Sequence, residues 1–104
     1  MADLTQEEWI SKLKSDNNAV ILDVRTPMEV AQGVIPDAIH IDIHRGQGFV
    51  YEVDQLDKNK SYFVYCKVGG RSGQACAIMN RLGFEKTYNL LGGFSAWQGE
   101  VSYL

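Results

Sequence analysis

The chain has 104 residues, 45% of them hydrophobic and 22% charged, with a formal net charge of −3. This length allows one domain with one hydrophobic core, which we expect to span residues 1–104, and the composition excludes a disordered or fibrous protein. Neither nucleic acid nor a membrane is expected as a partner, since the sequence has no lysine- or arginine-rich run and no apolar segment near the roughly 20 residues of a membrane-spanning helix.

Helix and strand signals alternate along the whole chain. Thr5 with Glu8, and Thr26 with Glu29, have the spacing of capping boxes, which mark the first residues of helices. Runs of β-branched and aromatic residues between the helical segments are typical of buried strands. This alternation predicts the α/β class, with a parallel sheet covered by helices on both faces. In chain order we expect a helix over residues 6–14, a strand over 19–24, a short helix from Thr26 to near Gly33, a strand over 38–43, one short helix within 44–60, a strand over 61–65, a helix from Ser72 to Gly83, a strand over 87–90 and a helix over 94–99.

Cys66 stands at the junction between the strongest strand signal and the next helix. Ligands of parallel α/β sheets bind at the carboxyl ends of strands, where this junction lies. The segment 67–72 contains two adjacent glycines, so its backbone can curl inward and present amides to an anion, and the positive end of the next helix adds to the same place. Arg71 supplies a forked cation and Lys67 a second charge. The sequence therefore predicts a thiolate nucleophile with a lowered pKa.

Both cysteines also have a structural interpretation. A single cysteine at the end of a buried strand is usually a small core residue, but the anion-binding loop beside Cys66 favours a nucleophile. Cys76 is interpreted as a core residue of the predicted helix, with a resolving cysteine as the alternative. So few cysteines favour free thiols in a reducing cytoplasm. His40 and His44 lie far in sequence from both cysteines, so no metal ion is expected. No cofactor of another kind is expected either.

Four segments resemble, in the same order, the signatures of the rhodanese family. They are Asp-Val-Arg followed by a short helix with a glutamate (23–30), Gly-Val-Ile-Pro-Asp-Ala (33–38), Cys-Lys-Val-Gly-Gly-Arg-Ser (66–72) and Gly-Gly-Phe-Ser-Ala-Trp (92–97). The third is similar to the active-site loop of the family. Val34 and Asp37 replace the usual histidine and glycine of the second, so we expect local changes there without loss of activity. The first strand of the family is expected to be barely formed in residues 1–4.

The resemblance implies a three-layer rhodanese-like fold with a mostly parallel sheet of four to five strands, and a sulfurtransferase of the thiosulfate type. Cys66 would take the outer sulfur of thiosulfate or a persulfide donor, become a persulfide, and pass the sulfur to cyanide or a thiol. Glu29 is interpreted as a partner of Arg25 or as a helix cap only, and Trp97 as a core residue. The implied roles are catalysis by Cys66, donor binding by Lys67, Val68, Gly69, Gly70, Arg71 and Ser72, and support of the loop by Asp23 and Arg25.

Three other functions share parts of this pattern. A persulfide carrier that serves a partner protein in a sulfur relay would have the same loop. A phosphatase or arsenate reductase of this fold has a loop one residue longer than the four residues between Cys66 and Arg71, and a histidine where this chain has Tyr65, so the spacing favours sulfur. An inactive regulatory domain usually lacks the cysteine.

Overall fold

A five-stranded parallel sheet forms the centre of the protein. In the computed structural model, which describes residues 1–103, the strand order is β1-β5-β4-β2-β3 and every neighbouring pair is parallel. The strands are β1 (Ala2–Leu4), β2 (Ala19–Asp23), β3 (Ile39–His40), β4 (Ser61–Tyr65) and β5 (Thr87–Leu90), and the helices are α1 (Gln6–Lys14), α2 (Pro27–Val30), α3 (Gln47–Asp54) and α4 (Gly70–Arg81).

Helices cover both faces of this sheet, which confirms the predicted α/β class with three layers. On one face α3 and α4 bury Phe49, Val53 and Met79 against the sheet. On the other face Trp9 of α1 is fully buried and packs edge-on against Phe63 of β4, with ring centroids 5.7 Å apart. The central strand β4 is buried along its whole length because it lies between these two layers.

The helix starts follow the local sequence. Both predicted capping boxes are formed: the Thr5 and Thr26 hydroxyls accept from the amides of Glu8 and Glu29, and each glutamate carboxylate accepts from the amide of its threonine. The bounds of α1 match the predicted residues 6–14. Capping boxes connect residues only three positions apart, so their geometry can be predicted without knowledge of the fold.

The two ends of the chain differ from their sequence predictions. Residues 2–4 form a full edge strand, paired from Ala2↔Tyr88 to Leu4↔Leu90, so the expectation of a barely formed strand is wrong. Parallel pairing uses backbone groups, which the side-chain pattern of so short a segment does not reveal. The predicted helix over 94–99 is only a single 3-10 turn, Phe94–Ala96, because Trp97 is already extended.

Several internal boundaries also differ. Strand β2 and helix α2 end earlier than predicted, at Asp23 and Val30. The predicted strand over 38–43 is reduced to Ile39–His40, because Asp42 caps a 3-10 turn over Ile43–Arg45. Helix α4 begins at Gly70, before the predicted start at Ser72, with Gly69 at φ 115° as its N-cap. Glycine adopts this conformation without steric cost, so the helix can start directly inside the cysteine loop.

Asp37 stands in the second family-like segment, where a glycine is usual. Its φ of 69° lies in the left-handed region, which glycine and, less readily, Asp and Asn adopt. Val34, at the position of the usual histidine, is buried and pairs with Ser102 in an isolated antiparallel bridge. Both departures are thus accommodated locally. Within residues 1–103 the helices are all too short or too polar to cross a membrane.

Candidate active site

Cys66 follows β4 directly, at the carboxyl edge of the sheet. The neighbouring strands β2 and β5 end at the same edge, so the segments after Asp23 and Leu90 flank the cysteine. This edge is where parallel α/β sheets place their ligands. The sheet topology therefore brings together three of the segments that resemble family signatures, although they are far apart in the sequence.

Hydrogen-bond donors of the following loop converge on the sulfur of Cys66. The Gly69 amide donates to Sγ over 3.1 Å, and the Ser72 hydroxyl lies 3.3 Å from it. The amides of Val68 and Ser72 also lower the pKa of the Cys66 thiol. This arrangement needs the left-handed conformation of Gly69 and uses the first turn of α4, whose amides have no partner inside the helix. The result is a nest of donors built for a negatively charged sulfur.

The electrostatics of the nest favour the thiolate. Burial of Cys66 raises its pKa, but hydrogen bonds from the Ser72 side chain and from the amides of Ser72, Gly69 and Val68 lower it by more. The pKa of Cys66 consequently lies below that of an ordinary thiol. At neutral pH a larger fraction of this side chain is therefore in the nucleophilic form.

We expect the thiolate of Cys66 to persist to a lower pH than that of a free cysteine. Because a lowered pKa means that the thiolate is the form present above it, the thiolate fraction will be lost as the pH falls through this value. The measurement is a titration of the ultraviolet thiolate absorbance, taken as the difference between the wild type and Cys66→Ala. A difference curve centred at or above the ordinary thiol pKa would contradict this expectation.

The residues of the loop differ in exposure. Cys66 and Ser72 are fully buried at the floor of the nest, whereas Lys67 and Gly70 are exposed and Val68 is 65% exposed. Lys67 forms no ion pair with any residue between 1 and 103. Lys67 and Val68 are therefore exposed side chains directly after the buried cysteine in the chain.

Arg71 lies at the edge of the loop and is held by Glu29. Its Nη1 and Nη2 donate to the two carboxylate oxygens of Glu29 over 2.7 and 2.9 Å. The interpretation of Glu29 as a side-chain partner of Arg25 is therefore wrong: Arg25 reaches only the backbone carbonyl of Glu29, over 3.4 Å. Sequence distance explains the error, because Arg71 and Glu29 are 42 positions apart and meet only through the fold.

Asp23 and Arg25 form a buried ion pair at the carboxyl end of β2. The Arg25 guanidinium donates to Asp23 Oδ2 over 2.7 Å and to the Gly33 carbonyl over 2.7 Å, and it lies 4.3 Å from the centre of the Phe94 ring. Phe94 connects this pair to the cysteine loop, because its ring lies against Arg25 and its amide donates to the Cys66 carbonyl. Within residues 1–103, none of the hydrogen bonds of this pair involves Cys66.

The turn after β5 fastens the backbone of the cysteine loop. The amides of Phe94 and Ser95 donate to the carbonyls of Cys66 and Lys67, each over 2.9 Å. A Cβ at Gly93 would lie 2.5 Å from the carbonyl carbon of Lys67, and its φ of 55° is in the left-handed region. Only glycine permits this approach, which gives the Gly-Gly segment before Phe94 a role in positioning the nest.

Asn89 is a site residue that the sequence analysis missed. Its Nδ2 donates to the Gly69 carbonyl over 3.1 Å and to Asp3 Oδ1 over 2.9 Å, which leaves Oδ1 to accept from the Ser72 hydroxyl. A hydroxyl has one proton, so Asn89 and the Cys66 thiolate compete for the proton of Ser72. A buried polar residue in a short strand was the available signal, since such a residue needs hydrogen-bond partners.

Cys76 lies away from this chemistry. It is fully buried in α4 among the residues that pack against the sheet. Burial raises the pKa of its thiol to about 12, against a smaller opposing effect of a hydrogen bond with Thr87. A thiol that is both inaccessible and protonated at neutral pH is a poor nucleophile. The core interpretation of Cys76 is thus favoured over the resolving cysteine.

Comparison with known proteins found a matching family model and sequence relatives. The family model of the rhodanese-like domain matches residues 6–100. A protein of Allochromatium vinosum named sulfurtransferase is 34% identical over 95 residues, which cover 91% of this chain and 86% of that protein. The putative sulfurtransferase YtwF of Bacillus subtilis is 40% identical over 90 residues, covering 86% of this chain and 84% of its own.

A solved structure shows the same architecture. The crystal structure of a rhodanese-like domain protein from Staphylococcus aureus superimposes with a TM-score of 0.84 at 30% sequence identity. The match covers 100% of this chain and 99% of that one. The likeness therefore includes the edge strand β1 and the C-terminal turn, the two regions that the sequence analysis described least well.

Proposed function

The chain belongs to the rhodanese-like domain family, and from this premise we propose that it is a sulfurtransferase that carries sulfur as a persulfide on Cys66. The donor is thiosulfate or a persulfide, and the acceptor is cyanide or a thiol. Sequence relatives named sulfurtransferases support the transfer of sulfur. The single observation that supports the chemistry best is the convergence of loop donors on the Cys66 sulfur.

The first half-reaction forms the persulfide. The Cys66 thiolate attacks the outer sulfur of thiosulfate, a new S–S bond forms, and the S–S bond of the donor breaks so that sulfite leaves with the bonding electron pair. With a persulfide donor the thiolate attacks the terminal sulfur and the donor thiolate leaves. In both cases the protein keeps one additional sulfur atom on Cys66, and no external oxidant or reductant is required.

The second half-reaction returns the cysteine to its starting state. Cyanide or a thiolate attacks the terminal sulfur of the persulfide, and Cys66 leaves as a thiolate. The terminal sulfur is negatively charged in the intermediate, and we assign its stabilisation to the nest of amides, with Ser72 at its floor. The remaining loop residues line the approach of the donor, whereas Asp23 and Arg25 support the loop from below. The loop residues to which we assign the lining of the donor's approach are Lys67, Val68, Gly69, Gly70 and Arg71.

A persulfide carrier for a protein partner is the alternative reading of the same loop. An enzyme and a carrier share the first half-reaction and differ only in how fast the sulfur leaves for a small acceptor. The free thiols of Cys66 and Cys76 fit a reducing compartment, so we expect either role to be exercised in the cytoplasm.

Turnover with thiosulfate and cyanide tests the proposal and separates the two roles. We expect catalytic formation of thiocyanate, with many turnovers for each Cys66 and ping-pong kinetics. A single equivalent of sulfur retained on Cys66, without turnover, would identify a carrier instead. Release of phosphate from an aryl phosphate, lost in Cys66→Ser, would contradict the choice of sulfur over oxyanion chemistry.

A further inference from the structure

The charge of Arg71 is already compensated before any donor arrives. Both terminal nitrogens of its guanidinium are bound by the Glu29 carboxylate in a two-pronged ion pair. Arg71 and Glu29 are each about a quarter exposed, at 25% and 24%, so the pair stands at the rim of the site. A bidentate pair of this kind fixes the guanidinium in one orientation.

Glu29 is itself held in place by its own helix start. Oε1 of Glu29, which accepts from Nη1 of Arg71, also accepts from the amide of Thr26 over 3.0 Å and from its hydroxyl over 3.1 Å. The hydrogen bond from Arg71 and those from Thr26 lower the pKa of Glu29 to about 2 against the opposing effect of burial. Glu29 is therefore ionised at every working pH, and the capping box fixes its position beside Arg71.

A second carboxylate adds to this compensation. Asp42 is close enough to Arg71 to stabilise its charge, although less than Glu29 does. At the rim of the site, Arg71 is therefore accompanied by two anions, Glu29 and Asp42. Thiosulfate brings two negative charges to this rim, whereas an alkyl persulfide without other ionised groups brings one at most. The repulsion between these two carboxylates and a donor rises with the negative charge of the donor, so it opposes thiosulfate more than a persulfide.

We propose that Glu29 is a specificity-determining residue which, by occupying Arg71, sets this site for sulfur donors of low charge, such as organic persulfides, over dianionic thiosulfate. This proposal rests on the sulfurtransferase function and names the donor class within it. The reaction it favours is attack of the Cys66 thiolate on the terminal sulfur of RS–SH. The S–S bond of the donor breaks, RS⁻ leaves with the bonding electrons, and Cys66 keeps the S–SH group.

The substitution Glu29→Gln tests the charge without removing the cap. Glutamine at this position of a capping box accepts from the same backbone amide as glutamate does, so helix α2 keeps its start. The matched control is Glu8→Gln, the same change in the capping box of α1. Glu29→Asp, which keeps the charge, is the second comparison. For each protein we would measure the second-order rate constant of sulfur transfer to Cys66 from thiosulfate and from 2-hydroxyethyl persulfide.

The informative quantity is the ratio of the two rate constants, because changes in folding or in the Cys66 pKa affect both donors alike. We expect Glu29→Gln to raise the thiosulfate-to-persulfide ratio on the order of tenfold, while Glu29→Asp and Glu8→Gln keep the wild-type ratio. An unchanged ratio in Glu29→Gln, or an equal loss with both donors, would overturn the proposal and leave Glu29 a structural residue. Failure of every donor to load sulfur on wild-type Cys66 would instead overturn the sulfurtransferase function itself.

Discussion

Replacement of Cys66 by serine is expected to reduce thiocyanate formation to the rate measured without protein. The serine hydroxyl is not ionised at neutral pH, and an oxygen at this position cannot form the S–S bond that the persulfide requires. Serine is close in size to cysteine, and the amides around Sγ would still find an acceptor. The loss should therefore appear in the chemical step and not in the stability of the fold. Steady-state turnover with thiosulfate and cyanide measures the first, and urea unfolding the second.

The matched control for this variant is Cys76→Ala. Cys76 is equally buried but lies in α4 outside the nest, so we expect turnover to be retained even if the core loses some stability. Retained turnover in Cys66→Ser would mean that the nucleophile lies elsewhere. Loss of turnover in a folded Cys76→Ala protein would mean that the second thiol takes part in the reaction.

Replacement of Arg25 by methionine is expected to lower the free energy of unfolding more than any other single substitution proposed for this chain. Asp23 is fully buried and Arg25 is 2% exposed, so Arg25→Met would leave the Asp23 carboxylate without its partner in the interior. Breaking one side of a buried ion pair costs about 3–5 kcal/mol of unfolding free energy. The contacts of Arg25 with the Gly33 carbonyl and the Phe94 ring would be lost as well. Urea unfolding followed by far-ultraviolet circular dichroism gives this difference.

An exposed ion pair of the same chain provides the comparison. Arg45 pairs with Glu52 at the surface, where both side chains are about half exposed, and Arg45→Met should cost less than about 1 kcal/mol. The double variant Asp23→Asn/Arg25→Met should recover part of the stability lost in Arg25→Met, because no buried charge then remains unpaired. If Arg25→Met and Arg45→Met lost equal amounts of unfolding free energy, this would contradict the conclusion that Asp23 and Arg25 depend on each other in the interior.

The fold could be predicted from the sequence where its signals are local. The two capping boxes, the stop at Gly83 and the apolar run of β4 each involve residues close together in the chain, and the structure contains all of them. The edge strand β1 and the 3-10 turn at Phe94 were not predicted. They depend on backbone pairing with β5 and on the conformation of Gly93, which a single segment does not specify.

In the candidate site, too, the contacts between residues close in the chain could be predicted, whereas those between distant segments could not. The cysteine, its glycines and Ser72 are contiguous, so their convergence on one sulfur could be anticipated from a strand, loop and helix in succession. The partner of Arg71 lies in another segment, and the contacts of Asn89 with Ser72 and Gly69 cross from β5 to the loop. Such pairings are set by strand order, and a lone asparagine or glutamate in the sequence does not indicate which residue it will meet.

The most direct test of persulfide chemistry on Cys66 is the intact mass of the protein after treatment with a sulfur donor. Wild type and Cys66→Ala would each be incubated with thiosulfate and with 2-hydroxyethyl persulfide, desalted and compared, and the modified residue located by peptide mapping. A gain of one sulfur atom in the wild type, mapped to Cys66 and absent from Cys66→Ala, is the expected result. The same gain in Cys66→Ala, or its location on Cys76, would contradict the assignment of the nucleophile.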